Sequence, residues 1–362
     1  MNREKNSLNF TDGVMAFFFA VLIPYLLAVI FVLILNLVAS SKGIDVKQLS
    51  NYTSVKIINL LISEIAFLGI FLTISYIKRI DTKKYVFKKF KLSIVEILIL
   101  ILIAVVTLFG LNEICNLFLY LLGKIGYNPD TSLPFALTNF GWFALSVLLL
   151  CVIPAICEEL LFRGIILTSL REKNDIFALF ISALCFCLIH ASPQQTILQF
   201  VMGVILGYSY MKTNSILAPI LLHFTNNFIV VLVNYIQTIN NVTPASISFS
   251  VGSGFLAVLY AIVALVIVAG LLILLNYYYK KKNKQVCYLF KFEKKYFENT
   301  QKECITDEEK NIISLEEKQI TNETSDINNA KIEDVKKKSN FDIRVLIVSI
   351  FICVILWIIQ LL

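Results

Sequence analysis

The sequence predicts an all-α, polytopic membrane protein. Of its 362 residues, 58% are hydrophobic and only 16% are charged, whereas an ordinary soluble domain is roughly 45–50% apolar and roughly 25% charged. The mean hydropathy is +0.78. The apolar residues also fall in runs close to the roughly 20 residues that a membrane-crossing helix needs. The composition therefore argues against a soluble enzyme.

Nine apolar runs predict about eight core spans plus a C-terminal extra span. The run 136–171 is too long for one straight crossing, and Pro154 within it is a potential site of a kink. The first run is much longer than the roughly 7–15 apolar residues of a signal peptide, so it is interpreted as a retained helix. The runs are 14–39, 57–77, 94–122, 136–171, 175–191, 196–211, 215–237, 255–277 and 344–362.

Basic residues beside these runs predict the orientation in the membrane. The loop between Lys78 and Lys91 carries seven Lys or Arg residues and one acidic residue, Asp81, which places this loop in the cytoplasm. Alternation from there puts the N-terminus inside and the C-terminus outside. We expect a multi-pass protein of the cell membrane, and the richness in Lys, Asn and Ile favours a bacterial plasma membrane.

The charged residues are concentrated in one connector near the C-terminus. Between Lys280 and Asp342 the chain has 14 Lys and 13 Asp or Glu residues, so we expect a solvated or weakly helical segment. The net charge of +7 does not come from a basic domain, so no nucleic-acid partner is expected. We divide the chain into N-terminal transmembrane helices, an intramembrane core, the charged cytoplasmic connector and a C-terminal transmembrane helix: 1–134, 135–279, 280–342 and 343–362.

The eight cysteines show no zinc-ribbon or disulfide spacing. We therefore expect them to be free thiols, buried where they fall in apolar runs. They are Cys115, Cys151, Cys157, Cys185, Cys187, Cys287, Cys304 and Cys353.

Ionisable side chains at membrane depth are rare, and each is a functional candidate. Glu64 and Glu113 stand alone, and we expect each to pair with an Asn or Ser of a neighbouring helix. Glu158 and Glu159 point about 100° apart on a helix, and Glu159 has the favourable i, i+4 spacing to Arg163. One carboxylate is therefore neutralised and the other is free to act. The full set is Glu64, Glu113, Glu158, Glu159, Arg163, His190 and His223.

The two histidines lie in two further short motifs. His190 ends the segment 186–190, and His223 shares a helix face with Asn227. An imidazole and an amide on one face can both direct N–H groups at one oxygen. Counted along ideal helices from the predicted cytoplasmic turns, Glu158 lies ~22 Å deep, His190 ~26 Å and His223 ~14 Å. The three groups can meet if helix tilts or turn positions bring His223 deeper.

These three motifs resemble those of the CAAX-protease and bacteriocin-processing family (CPBP, also called Abi) of intramembrane endopeptidases. The motifs of that family are Glu-Glu-x-x-x-Arg, Phe-x-x-x-His and His-x-x-x-Asn/Asp, in this order. Residues 158–163, 186–190 and 223–227 match all three. The resemblance covers about residues 135–235, and the connector with its final helix resembles an addition to the family core.

The resemblance implies an intramembrane glutamic endopeptidase that is similar to CAAX prenyl proteases. Its substrate would be a peptide or a membrane protein, and it would use no cofactor. The resemblance assigns Glu158 as the general base, with His190 holding the attacking water. It assigns the oxyanion hole to His223 and Asn227, and the support of the site to Glu159 and Arg163. If zinc is used instead, its ligands would be Glu158, His190 and His223.

Two other functions stay open from the sequence. A non-catalytic bacteriocin self-immunity or peptide-binding protein would share the fold without the chemistry. A transporter with a Glu and His proton relay would be expected to show internal repeats, and the sequence shows no clear repeat. Gly203 and Gly207 predict close helix packing, either within the chain or with a second copy, so the oligomeric state is open.

Overall fold

The computed structural model describes residues 8–80, 82, 86, 91–128, 133–242, 251–283 and 324–362. These residues form helices joined by short turns, and no strand is found among them. The predicted all-α class is confirmed. The helices are α1 (Phe10–Lys42), α2 (Val46–Ser50), α3 (Thr53–Ile77), α4 (Ile94–Lys124), α5 (Phe140–Leu170), α6 (Asp175–Ile189), α7 (Thr196–Thr213), α8 (Leu217–Ile239), α9 (Val251–Asn283) and α10 (Thr324–Leu361).

The chain is a multi-pass membrane protein. In the described part, seven helices are long and apolar enough to cross a membrane: α1, α3, α4, α5, α8, α9 and the part of α10 from Asn340. The predicted spans 175–191 and 196–211 are also helical, as α6 and α7. Helix α6 is apolar but has only 15 residues. It packs along α7.

Polar contacts join the helix ends that are predicted to be cytoplasmic. Asp12 of α1 forms a 2.7 Å ion pair with Lys78, which follows α3. The first backbone N–H of α1 donates to Glu172, which follows α5. The hydroxyl of Thr11 donates to Asp342 of α10 at 2.7 Å. These contacts place the starts of α1 and of the membrane part of α10 beside the ends of α3 and α5, as alternation along the chain requires.

Helix α5 is continuous but contains two π-helical stretches, Leu148–Val152 and Leu160–Leu167. Such wider turns are frequent at functional sites. Pro154 lies between them and lacks the N–H that would bond to the carbonyl of Leu150 in a regular α-helix. That carbonyl accepts a 3.0 Å hydrogen bond from the side chain of Asn227 on α8. The helix that carries the third motif thus bonds to one carbonyl of the irregular backbone of α5.

Gly203 and Gly207 bring α7 against α6 of the same chain. A Cβ atom at Gly203 would lie 2.9 Å from the Cα of Ala183, and one at Gly207 would lie 2.8 Å from a methyl group of Leu179. Side chains at these positions would push the two helices apart, so the close packing requires glycine, most strictly against the Ala183 backbone. The sequence left open which helix packs against Gly203 and Gly207, and that helix is α6 of the same chain.

The six cysteines in the described ranges are free thiols, as predicted, and five of them are buried. Cys287 and Cys304 lie outside the described residues, as does the connector from 284 to 323. Helix α10 begins at Thr324, earlier than the apolar run that predicted it. Near its end, the indole N–H of Trp357 donates to the hydroxyl of Thr196 at 2.8 Å, so the last helix is fixed to the start of α7.

Candidate active site

The three motifs meet in the interior of the bundle, on α5, α6 and α8. Glu158 and Glu159 lie in the α-helical turn between the π-helical stretches of α5, and both are buried. His190 follows the last residue of α6, where Ala191 turns the chain with a positive φ of 45°. His223 is buried in the first half of α8. The structure therefore brings together the groups whose depths the sequence could not fix.

Glu159 and Arg163 form the predicted ion pair, with 3.0 Å between Nη1 and Oε1 and almost no exposure of either side chain. The second guanidinium nitrogen donates to the carbonyl of Gly203 at 3.2 Å. The same Oε1 of Glu159 lies 2.9 Å from Nδ1 of His223. Glu159 thus joins α5 to α8, and Arg163 joins α5 to α7 at the glycine where α6 and α7 pack closely.

The ring of Phe186 is the centre around which these side chains pack. The guanidinium of Arg163 lies 4.4 Å from the ring centroid, within the range of a cation–π contact. Phe162, His190 and His223 each pack edge-on against it, with centroids 5.2, 5.0 and 5.8 Å away. This packing explains why an aromatic residue precedes the histidine of the second motif by one helical turn.

The backbone carbonyl of Phe186 sets the tautomer of His190. Nδ1 of His190 lies 2.7 Å from the carbonyl oxygen of Phe186, and a carbonyl can only accept, so Nδ1 carries the proton. In the neutral ring, Nε2 then presents a lone pair. Nε2 lies 3.8 Å from Oε2 of Glu158, which is buried and has no hydrogen-bond partner. The two acceptors face each other across a gap that is too long for a direct hydrogen bond.

His223 and Asn227 occupy one face of α8, as predicted, but each is partly engaged. Nδ1 of His223 contacts Glu159, and one amide hydrogen of Asn227 bonds to the carbonyl of Leu150. The amide oxygen of Asn227 accepts from Asn226 at 3.1 Å. What remains for a substrate is Nε2 of His223 and the second amide hydrogen of Asn227.

Comparison with known proteins found a match to the segment that holds the three motifs. Residues 140–229 match the sequence model of a family described as type II CAAX prenyl endopeptidase Rce1-like. The matched residues hold all three motifs. We refer to residues 140–229, which are similar to this family, as the Rce1-like segment. The predicted resemblance to the CPBP family is thereby confirmed, over nearly the same residues as predicted.

A relative of the Rce1-like segment is YdiL of Bacillus subtilis (strain 168), provisionally named a membrane peptidase. It is 35% identical over 89 residues, which are 24% of this chain and 36% of the relative. The matched part thus spans about a third of the relative's length. No solved structure matches the chain. The relative agrees with the expected bacterial origin.

The Rce1-like segment does not place the three candidate zinc ligands around one point. His223 is turned to Glu159, while His190 faces Glu158. Among all described side chains, no three of His, Cys, Asp and Glu are grouped closely enough to hold a metal ion. A catalytic zinc needs three such ligands, so the arrangement of these residues does not fit that alternative.

Glu64 reaches the Rce1-like segment from α3, outside the matched residues, and the sequence did not predict this. Its carboxyl group lies within hydrogen-bonding reach of Glu158, and the neighbouring Ser63 also bonds to it. A signal was available, because Glu64 lies 14 residues before Lys78, or ~21 Å along a helix, level with Glu158. Glu113, the other isolated glutamate, is exposed, and the hydrogen bond found for it among the described residues is with the adjacent Asn112 at 3.1 Å, not with a neighbouring helix.

Proposed function

We propose that this protein is an intramembrane endopeptidase that hydrolyses a peptide bond of a membrane-associated or peptide substrate. The observation that supports this most is the 3.8 Å gap between Glu158 and His190, two acceptors held by a rigid network inside a segment similar to prenyl endopeptidases. In this proposal Glu158 is the general base, and no cofactor takes part.

The gap between Glu158 and His190 suits an attacking water. A water beside the line joining Oε2 and Nε2 can donate one hydrogen to each acceptor, which directs its oxygen lone pairs away from both. As the water oxygen bonds to the substrate carbonyl carbon, Glu158 takes the proton on its own side. His190 keeps the water oriented during this step.

The developing oxyanion is stabilised from α8. The second amide hydrogen of Asn227 is one donor, and Nε2 of His223 is the other. Because Nδ1 of His223 is directed at Glu159, Nε2 can donate only when the ring is the imidazolium, which has an N–H on both nitrogens. The buried carboxylate of Glu159 stabilises that charge. Removal of one such donor typically costs about 2.7–4 kcal/mol of transition-state stabilisation.

Collapse of the tetrahedral intermediate completes the reaction. The carbonyl forms again, the C–N bond breaks, and protonated Glu158 returns its proton to the leaving amine. One water is consumed, and the products are a carboxylic acid and an amine, which become a carboxylate and an ammonium group when the proton of the acid passes to the amine. The base acts as the acid in the second half, so the mechanism needs only one titrating carboxyl group.

The test uses the full-length protein in liposomes of phosphatidylethanolamine and phosphatidylglycerol. The substrates are a pool of quenched fluorescent apolar peptides, half of which end in a prenylated cysteine. We expect the parent to cleave members of the pool, and Glu158→Ala and His190→Ala to abolish cleavage although both variants insert and fold. Glu113→Ala is the matched control and should cleave like the parent. Parent-like cleavage by Glu158→Ala would exclude Glu158 as the base.

A protection assay separates this function from non-catalytic self-immunity. If the protein protects cells from a bacteriocin by proteolysis, Glu158→Gln abolishes protection. Full protection by Glu158→Gln would favour a protein that binds the peptide without cleaving it.

A further inference from the structure

Glu64 is a buried acid that the mechanism above does not use. Its side chain is 6% exposed and lies on α3, which packs against the turn of α5 that carries Glu158. None of the ion pairs found among the described side chains includes Glu64. Its Oε2 atom is buried without a partner, as is Oε2 of Glu158. The charged group that acts on Glu64 is Glu158, whose carboxyl group is also within hydrogen-bonding reach.

Two carboxyl groups in contact at membrane depth require a proton between them. An ionised carboxylate has no hydrogen to donate, so a hydrogen bond between Glu64 and Glu158 exists only if one of them is protonated. Two ionised carboxylates within hydrogen-bonding reach of each other would repel strongly, because the surrounding helices screen charge poorly. The pair therefore holds one proton.

The surroundings decide which carboxyl group carries that proton. Arg163 and His223 both lie within electrostatic range of Glu158 and favour a negative charge there. Glu64 has only the hydroxyl of Ser63 as a further partner. The arrangement with the lower energy places the charge on Glu158 and the proton on Glu64.

We propose that Glu64 is a positioning residue that donates a hydrogen bond from its protonated carboxyl group to Glu158, and so keeps Glu158 ionised and directed at His190. The role rests on the proposed function, because it matters for catalysis only if Glu158 is the base. It also predicts that a residue outside the Rce1-like segment completes the site, which explains how a glutamate can lie at the centre of α3 without a cationic partner.

Three variants test the role in the liposome assay, with the peptide that the parent cleaves fastest. Glu64→Leu keeps the approximate size but removes the donor, and we expect kcat to fall about 10- to 100-fold, the equivalent of one hydrogen bond to a charged group, with KM unchanged. Glu64→Gln keeps an N–H donor and should restore kcat to within a few-fold of the parent. Glu113→Leu is the matched control and should change neither constant.

The outcomes separate this inference from the proposed function. If the parent cleaves and Glu64→Leu keeps the parent kcat, the positioning role is wrong and the endopeptidase stands. Equal losses in Glu64→Leu and Glu64→Gln would also contradict it, because the donor would then not matter. If the parent cleaves no peptide, the endopeptidase proposal fails, and the proton on Glu64 is tested without substrate.

Infrared difference spectroscopy provides that second test. The parent spectrum minus that of Glu64→Gln should show the C=O stretching band of a buried, protonated carboxylic acid. The parent spectrum minus that of Glu113→Gln should show no such band. Absence of the band from the first difference spectrum would overturn the proposal, whatever the cleavage assay shows.

Discussion

Replacement of Arg163 by methionine tests whether the buried ion pair holds the site together. The guanidinium is 1% exposed and bonds to Glu159 at 3.0 Å and to the Gly203 carbonyl at 3.2 Å. Methionine fills much of the same volume without charge or donors. In Arg163→Met, the carboxylate of Glu159 stays buried and keeps only His223 as a partner.

The size of the effect follows from these contacts. Removal of one partner from a buried ion pair destabilises a protein by about 3–5 kcal/mol. Because His223 still lies 2.9 Å from Glu159, we expect the lower end, about 3 kcal/mol, in the free energy of unfolding. The double variant Glu159→Gln/Arg163→Met removes both charges of this ion pair, so it should recover roughly 2 kcal/mol of that loss. The partly exposed pair of Arg171 with Asp175 is the control, and Arg171→Met should lose only about 0.2–1 kcal/mol.

The assay is unfolding in mixed micelles of rising SDS content, followed by circular dichroism. Single and double variants are compared at the same protein-to-detergent ratio, and the cleavage rate is measured in parallel. The double variant should regain stability but not cleavage, because His223 loses the carboxylate that stabilises its charged form. A loss below about 1 kcal/mol in Arg163→Met, or a double variant as unstable as the single one, would refute the reasoning.

Three further predictions concern the packing, the oxyanion hole and the metal. Gly203→Val should prevent close packing of α6 on α7 and lower the yield of folded protein. Gly69 has open space around it, so Gly69→Val should leave the yield unchanged. Equal yields of the two variants would contradict this prediction. Asn227→Ala should lower kcat about 100- to 1,000-fold, while Asn226→Ala should have a much smaller effect, and the reverse order would assign the donor to Asn226. Cleavage should persist in a chelator that inactivates a control zinc protease, and a loss that zinc specifically restores would favour the metal alternative.

The sequence predicted the helical class and the ion pair of Glu159 with Arg163 because both depend on local patterns. Long apolar runs identify spans whatever their neighbours are. The i, i+4 spacing of Glu159 and Arg163 predicted an ion pair that the structure contains. The sequence allowed the three motifs to meet but did not predict it, because His223 counted on ideal helices lies shallower than Glu158 and His190.

The remaining features depend on contacts between distant parts of the chain. The first π-helical stretch of α5 uses a contact from another helix, because Asn227 of α8 bonds to the carbonyl of Leu150. Glu64 was expected to pair with a polar neighbour, because the sequence does not show which helix faces α3. Likewise, the neighbour of Gly203 could be identified only once α6 was seen to pack on α7.

The most direct test of the central claim is the steady-state kcat of Glu158→Gln in liposomes, compared with that of the parent. Glutamine keeps the shape of the side chain but cannot accept the proton of the attacking water. We expect kcat to fall about 100- to 10,000-fold, the contribution of a general base, with KM and folded yield unchanged. A Glu158→Gln variant that cleaves at the parent rate would contradict the account.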